Sequence, residues 1–193
     1  MKRVLLFAIA CLLLAPAGQA EKRKKKLSEG AIATPVNTKE IAWMSIDDVQ
    51  VAMKKQPRKV WIDVYTDWCG WCKKMDKTTF SNPNVIKYMN EHFYAVKLDA
   101  EQKADIRFMG KMFPAPNPPA DRTAHPFANW LLGGSMSYPT SVVMDENFLS
   151  PPQPIPGYQD VKTMEMILKY FAEGLNKKTP WPEYQASFKS TWM

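Results

Sequence analysis

The chain has 193 residues, 46% hydrophobic and 23% charged, which is enough for one domain-sized core and too short for two generous ones. Seven Trp, seven Tyr and nine Phe exclude disorder throughout, and a mean hydropathy of −0.35 excludes a chain built of membrane spans. The formal charge of +7 sits at the N-terminal end: with Lys2, Arg3, Glu21 and the five basic residues of 22–26 set aside, 19 basic residues face 18 acidic ones, a balance that argues against a folded nucleic-acid-binding face.

Residues 1–20 read as an export signal. Lys2 and Arg3 precede eleven apolar residues, 4–14, and Gly18-Gln19-Ala20 forms a small-x-small cleavage site. Eleven apolar residues are too few to span a bilayer, which takes about 20. Cleavage near Ala20 removes Cys11, leaving Cys69 and Cys72 in a periplasmic or secreted compartment where disulfides persist. Residues 21–38, basic and then small and polar, read as a linker.

A folded body is expected from 39 to 176. Residues 41–43 suit a short strand, and Ser45-Ile46-Asp47-Asp48 suits a capped helix start reaching about Lys55. Residues 59–65, rich in Val, Ile and aromatics, read as a buried strand. A helix is expected over 72–78 and another after Ser81-Asn82-Pro83, with a second main strand over 93–99. Between Asp99 and Thr140 the pattern predicts a helix near 104–112, a proline-rich stretch over 114–119 and a helix near 126–132. Residues 141–144 read as a strand. From Phe148 a return strand follows, and Pro151, Pro152, Pro154 and Pro156 place it at a sheet edge. Asp160 caps a closing helix with Val161, Met164, Leu168, Phe171 and Leu175 on one face. Residues 177–193 form an aromatic tail expected to pack back on the body. His92 and His125 read as surface or loop residues, and Trp43, Trp61 and Trp130 as core.

The chemistry is concentrated in Trp68-Cys69-Gly70-Trp71-Cys72. A strand that ends where a helix begins leaves the first sulfur among unsatisfied backbone N–H groups at the positive end of a helix dipole, which favours a thiolate. Cysteines three apart there can close a small, exchangeable disulfide. Two other readings of the pair are a structural bridge, which would remove little chain entropy from so short a loop, and half of a zinc site, for which no second cysteine pair exists.

The run from Asp63 to Met75, with Tyr138-Pro139-Thr140 opening a later strand, resembles the thioredoxin superfamily. Within it the segment is similar to secreted thioredoxin-like proteins and to the C-terminal periplasmic domain of the transmembrane thiol:disulfide interchange reductase. The resemblance implies an α/β thioredoxin-like fold, a central mixed sheet flanked by helices, to which this sequence adds a helical and proline-rich insertion before the cis-proline strand. It implies that Cys69 attacks, Cys72 resolves the mixed disulfide, Asp63 exchanges the resolving thiol's proton and Lys97 sits beside that acid. Trp68, Gly70, Trp71, Tyr138 and Pro139, the last with a cis bond, would meet the substrate. No cofactor or metal is implied. The implied partners are disulfide-containing exported proteins and a membrane thiol-electron donor, with the chain as a monomer.

The sequence departs from thioredoxin in Gly70-Trp71, where thioredoxin has Gly-Pro, in the insertion, and in the bulky Tyr138. Asp67 opposes a thiolate while Lys73 and Lys74 favour one. The reading that follows is a thiol:disulfide oxidoreductase, with reduction the favoured direction. A disulfide oxidase or isomerase, and a non-catalytic peptide-binding module, are the alternatives.

Overall fold

The computed structural model describes residues 39–117 and 120–192; the expected signal peptide, the whole of the linker and Pro118-Pro119 of the insertion lie outside them. Strand formation begins with the largely apolar run of Lys59–Tyr65 (β2). Val60, Ile62 and Val64 point to one face and Trp61 and Asp63 to the other. Trp43–Met44 (β1) and Phe93–Asp99 (β3) run parallel to this frame, and Thr140–Met144 (β6) and Gln153–Pro156 (β7) are added antiparallel, giving the order β1-β3-β2-β6-β7. This is the expected central mixed sheet.

Both faces are covered, which is why β2 reads as a nearly continuous apolar run. On one face lie Ile46–Lys55 (α1), the insertion and Pro126–Leu131 (α4). On the other lie Gly70–Thr78 (α2), Pro83–His92 (α3), Val161–Ala172 (α5) and Trp181–Ser187 (α6). The helix starts carry their signals. Ser45 Oγ accepts from the Asp48 amide, Asn82 Oδ1 from Asn84 and Val85 with Pro83 in the first turn, and Asp160 from Thr163.

Three expectations about the elements are corrected. Residues 104–112 are not a helix. Ile106–Phe108 (β4) and Lys111–Phe113 (β5) form an antiparallel hairpin, with Ile106 and Phe108 buried around an exposed Arg107. Met109 and Gly110 make its two-residue turn at φ 49° and 78°. That pair of positive angles matches the right-handed twist of a hairpin. Gln50 of α1 fixes the tip, accepting from the Met109 amide and donating to the Arg107 carbonyl. The return strand starts at Gln153 instead of Phe148, because Asp145 collects the amides of Asn147, Leu149 and Ser150 into a turn. Leu175 lies outside the closing helix, which stops at Ala172 before the left-handed Gly174.

His125 is fully buried. Its Nδ1 accepts from the Phe127 amide at the start of α4, and its own amide donates to the Ala100 carbonyl at 2.7 Å; burial lowers its pKa. Trp61 is core, Trp43 is half-buried and Trp130 is 38% exposed, stacked on Phe127 at the rim of the insertion.

The tail packs against α5 and α3 through Trp181 and Tyr184 on Tyr170 and Trp192 on Tyr88. A fully buried Glu165 anchors its end, accepting from the Thr191 and Trp192 amides, the Ser190 and Thr191 hydroxyls and Lys169.

Candidate active site

β2 ends at Tyr65, and the chain turns through a Cys69 amide to Thr66 carbonyl bond into α2. Cys69 is the N-cap of that helix, and its Sγ accepts from the Cys72 amide at 3.0 Å. Sulfur thus occupies the position where a capping oxygen normally meets the free amides of a first turn, so negative charge on Cys69 is stabilised by that amide and by the helix dipole. Cys69 and Cys72 are joined as a disulfide, and both residues are nearly buried, 5% and 3% exposed.

Asp63 sits on the α2 side of the sheet, 1% exposed, in a row otherwise given to Trp61 and Ala95. Its register partner on β3 is Lys97, whose Nζ lies 2.7 Å from Asp63 Oδ2. Lys97 also pairs with Asp76 of α2 and lies within 5.0–5.4 Å of the Trp43, Tyr65 and Phe80 ring centroids. Burial pushes the Asp63 carboxyl up, against the pull of Lys97, and Asp76 adds to the rise. Lys97 is held above its ordinary value because its two carboxylates outweigh the cost of burial. Asp63 Oδ1 has no hydrogen-bond partner among the described residues. The site therefore holds a buried acid with a spare lone pair under the helix that opens with the cysteines.

The Tyr138–Pro139 bond is cis and leads straight into β6. The Tyr138 ring meets Trp68 edge-on at 5.9 Å; burial raises its phenol pKa, followed by Glu101 and Asp99. Trp68 donates from its indole N–H to Glu101 Oε1 at 3.0 Å, with the Arg122 guanidinium 5.4 Å from its ring. Trp68 and Trp71 are 52% and 57% exposed, on either side of Cys69 in the chain. A Cβ added at Gly70 would meet nothing within 4 Å, so the glycine leaves the surface between them open.

Sequence reasoning passed over Asp76, Glu101, Arg122 and Tyr158. Asp76, seven residues after Cys69, returns to the Lys97 side of α2 after two helical turns, a spacing that signals it once Lys97 is placed inward. The others come from distant segments and carry no local signal. The Lys74 ammonium is 4.5 Å from the Trp71 ring and 5.2 Å from the Tyr158 ring. Among the described residues no group of three or more His, Cys, Asp or Glu is placed to hold a metal ion.

The chain is 41% identical over 46 residues to the thiol:disulfide interchange protein DsbD of Pectobacterium atrosepticum, covering 24% of this chain and 8% of that one. To the DsbD of Vibrio vulnificus it is 34% identical over 80 residues, 37% of this chain and 13% of that one. The matched stretch is thus a small part of these curated relatives. A thioredoxin-fold protein from Helicobacter pylori superposes with a TM-score of 0.52 at 14% identity, covering 79% of this chain and 89% of that one, which shows the fold. The model of the family Thioredox_DsbH, described as "Protein of unknown function, DUF255", matches residues 30–145. With more than half of its length covered by that match, the chain belongs to this thioredoxin-like family.

Proposed function

We propose that the chain is an exported thiol:disulfide oxidoreductase acting as a reductase. The observation that supports the reading is the buried Asp63 carboxyl, ion-paired to Lys97 beneath the helix that begins with the cysteine pair. A thiolate at Cys69 attacks one sulfur of a partner's disulfide, forming a mixed disulfide and releasing the other partner sulfur as a thiolate. Asp63 takes the Cys72 proton, the Cys72 thiolate attacks Cys69, and the second partner sulfur leaves and is protonated. The partner gains two electrons and two protons, and the cysteine pair becomes the disulfide. A dithiol donor returns the electrons by the same exchange in reverse, and a membrane thiol-electron carrier is the donor suited to an exported chain.

Trp68, Gly70, Trp71, Tyr138 and Pro139 form the surface that receives an extended partner segment. Export rests on the signal-like pattern of residues 1–20. The disulfide-containing partners are themselves exported proteins, and the working unit is a monomer.

In this reading Cys69→Ser abolishes insulin-disulfide reduction, while Cys72→Ser accumulates mixed disulfides with its partners. Native turnover in both variants contradicts it. Titration of the pair against glutathione tests direction: a reducing potential agrees, and a strongly oxidising one selects the oxidase alternative.

A further inference from the structure

Two exposed indoles, Trp68 and Trp71, lie on either side of Cys69 in the chain, and their surroundings differ in charge. Around Trp68, Arg122 is balanced by Glu101. Around Trp71, the Lys74 ammonium lies near two rings, 4.5 Å from that of Trp71 and 5.2 Å from that of Tyr158, and among the described residues it forms no salt bridge.

The Trp71 side is also held in place. The Tyr158 ring lies 5.5 Å from Trp71, and its hydroxyl is 3.0 Å from Thr78 Oγ1 at the far end of α2. The residue before it, Gly157, donates its amide to the Pro139 carbonyl at 2.8 Å, and its φ of 90° is one that only glycine adopts without strain. The shelf and the cis-proline loop therefore share one frame. More than half of Trp71 nevertheless stays in solvent, which leaves indole surface for a ligand to cover.

We propose that Trp71, Tyr158 and Lys74 form a shelf that selects the residue beside the partner's reactive cysteine, accepting an aromatic side chain and refusing a cationic one. The inference rests on the reductase reading for what the occupant is: a polypeptide whose sulfur must reach Cys69. Aromatic selection follows from the open indole, held by Tyr158 so that little freedom is lost on stacking. Refusal of a cation follows from Lys74, because a second ammonium over the same ring meets like charge instead of the usual cation–π attraction.

The test uses Gly-rich decapeptides with one cysteine flanked on both sides by Phe, Gly or Lys. Affinity is read with serine in place of that cysteine, from the Trp71 indole N–H signal in NMR, so that no exchange is needed. Exchange is read separately with the same peptides as disulfide-linked dimers. The Phe peptide should bind about fivefold tighter than the Gly peptide, and the Lys peptide about fivefold weaker. Lys74→Met should bring Lys level with Gly, and Tyr158→Leu should bring Phe level with Gly. Equal affinities for the three peptides, or a Lys penalty that survives Lys74→Met in a folded variant, overturn the shelf. The graded order without exchange keeps the shelf and removes the reductase reading; exchange without the order does the reverse.

Discussion

The Lys97 ammonium reaches the Asp63 carboxylate at 2.7 Å from the directly paired position on the neighbouring parallel strand. The two residues are 34 apart in sequence, yet the register of β2 and β3 makes them neighbours on the face that α2 covers. Only one Asp63 oxygen is engaged among the described residues, which leaves the acid both ion-paired and able to bind a proton.

Asp63→Asn should stabilise the oxidised protein and slow its reaction. An acid whose pKa is raised on folding favours the folded state while protonated; that contribution is complete below the ordinary value of 3.8 and is lost as pH rises through the folded value. At pH 7.5 the uncharged amide should therefore raise stability by about 1 kcal/mol, roughly 2–4 °C in Tm. Release of reduced partner should fall tenfold to a hundredfold. Calorimetry and single-turnover kinetics check both, and a lowered Tm with unchanged release contradicts the account.

Lys97→Met leaves Asp63 buried without its cation. The expected loss is about 3 kcal/mol at pH 8, smaller at pH 5, where Asp63 takes up a proton more readily. Urea unfolding at the two pH values measures the difference, and equal losses at both contradict the pairing.

Gly110→Ala separates the hairpin from the helix that the sequence pattern favours over 104–112. At φ 78° a side chain is strained even though nothing lies within 4 Å of the added Cβ. Alanine should cost about 1 kcal/mol, whereas in a helix it would stabilise by a similar amount. The sign of the change in urea midpoint decides.

This contrast also shows where the sequence stops being informative. The apolar run of β2, the caps at Ser45, Asn82 and Asp160, and the cysteine pair each carry local signals, so the layers and the centre of the site can be read before any coordinates. The hairpin hides because Ile106 and Phe113, seven apart, suit one face of a helix as well as Ile106 and Phe108 suit a two-residue period, and only the positive angles at Met109 and Gly110 decide between them. Asp76 and Tyr158 join the site through packing, and His125 is buried because the insertion folds back to meet Ala100.

Glu165→Gln should loosen the C-terminal tail. Burial opposes the Glu165 charge, but hydrogen bonds from Lys169, Ser190, Thr191 and Trp192 outweigh it and hold the carboxyl at about 2. A depressed pKa contributes stability that is present above the ordinary 4.5 and is lost as pH falls towards about 2. The variant should lose about 2 kcal/mol at pH 7, show a flatter acid limb below pH 4.5, and exchange the Thr191 and Trp192 amides faster. Unchanged amide exchange contradicts the anchoring role.

The most direct measurement is the alkylation rate of Cys69 in the reduced protein across pH 4 to 10. With Cys69 capping α2, its thiolate should titrate well below the ordinary thiol value of about 8.5, and the low-pH reactivity should follow Cys69 and vanish in Cys69→Ser. A titration indistinguishable from a free thiol would contradict the claim that the helix start activates this sulfur.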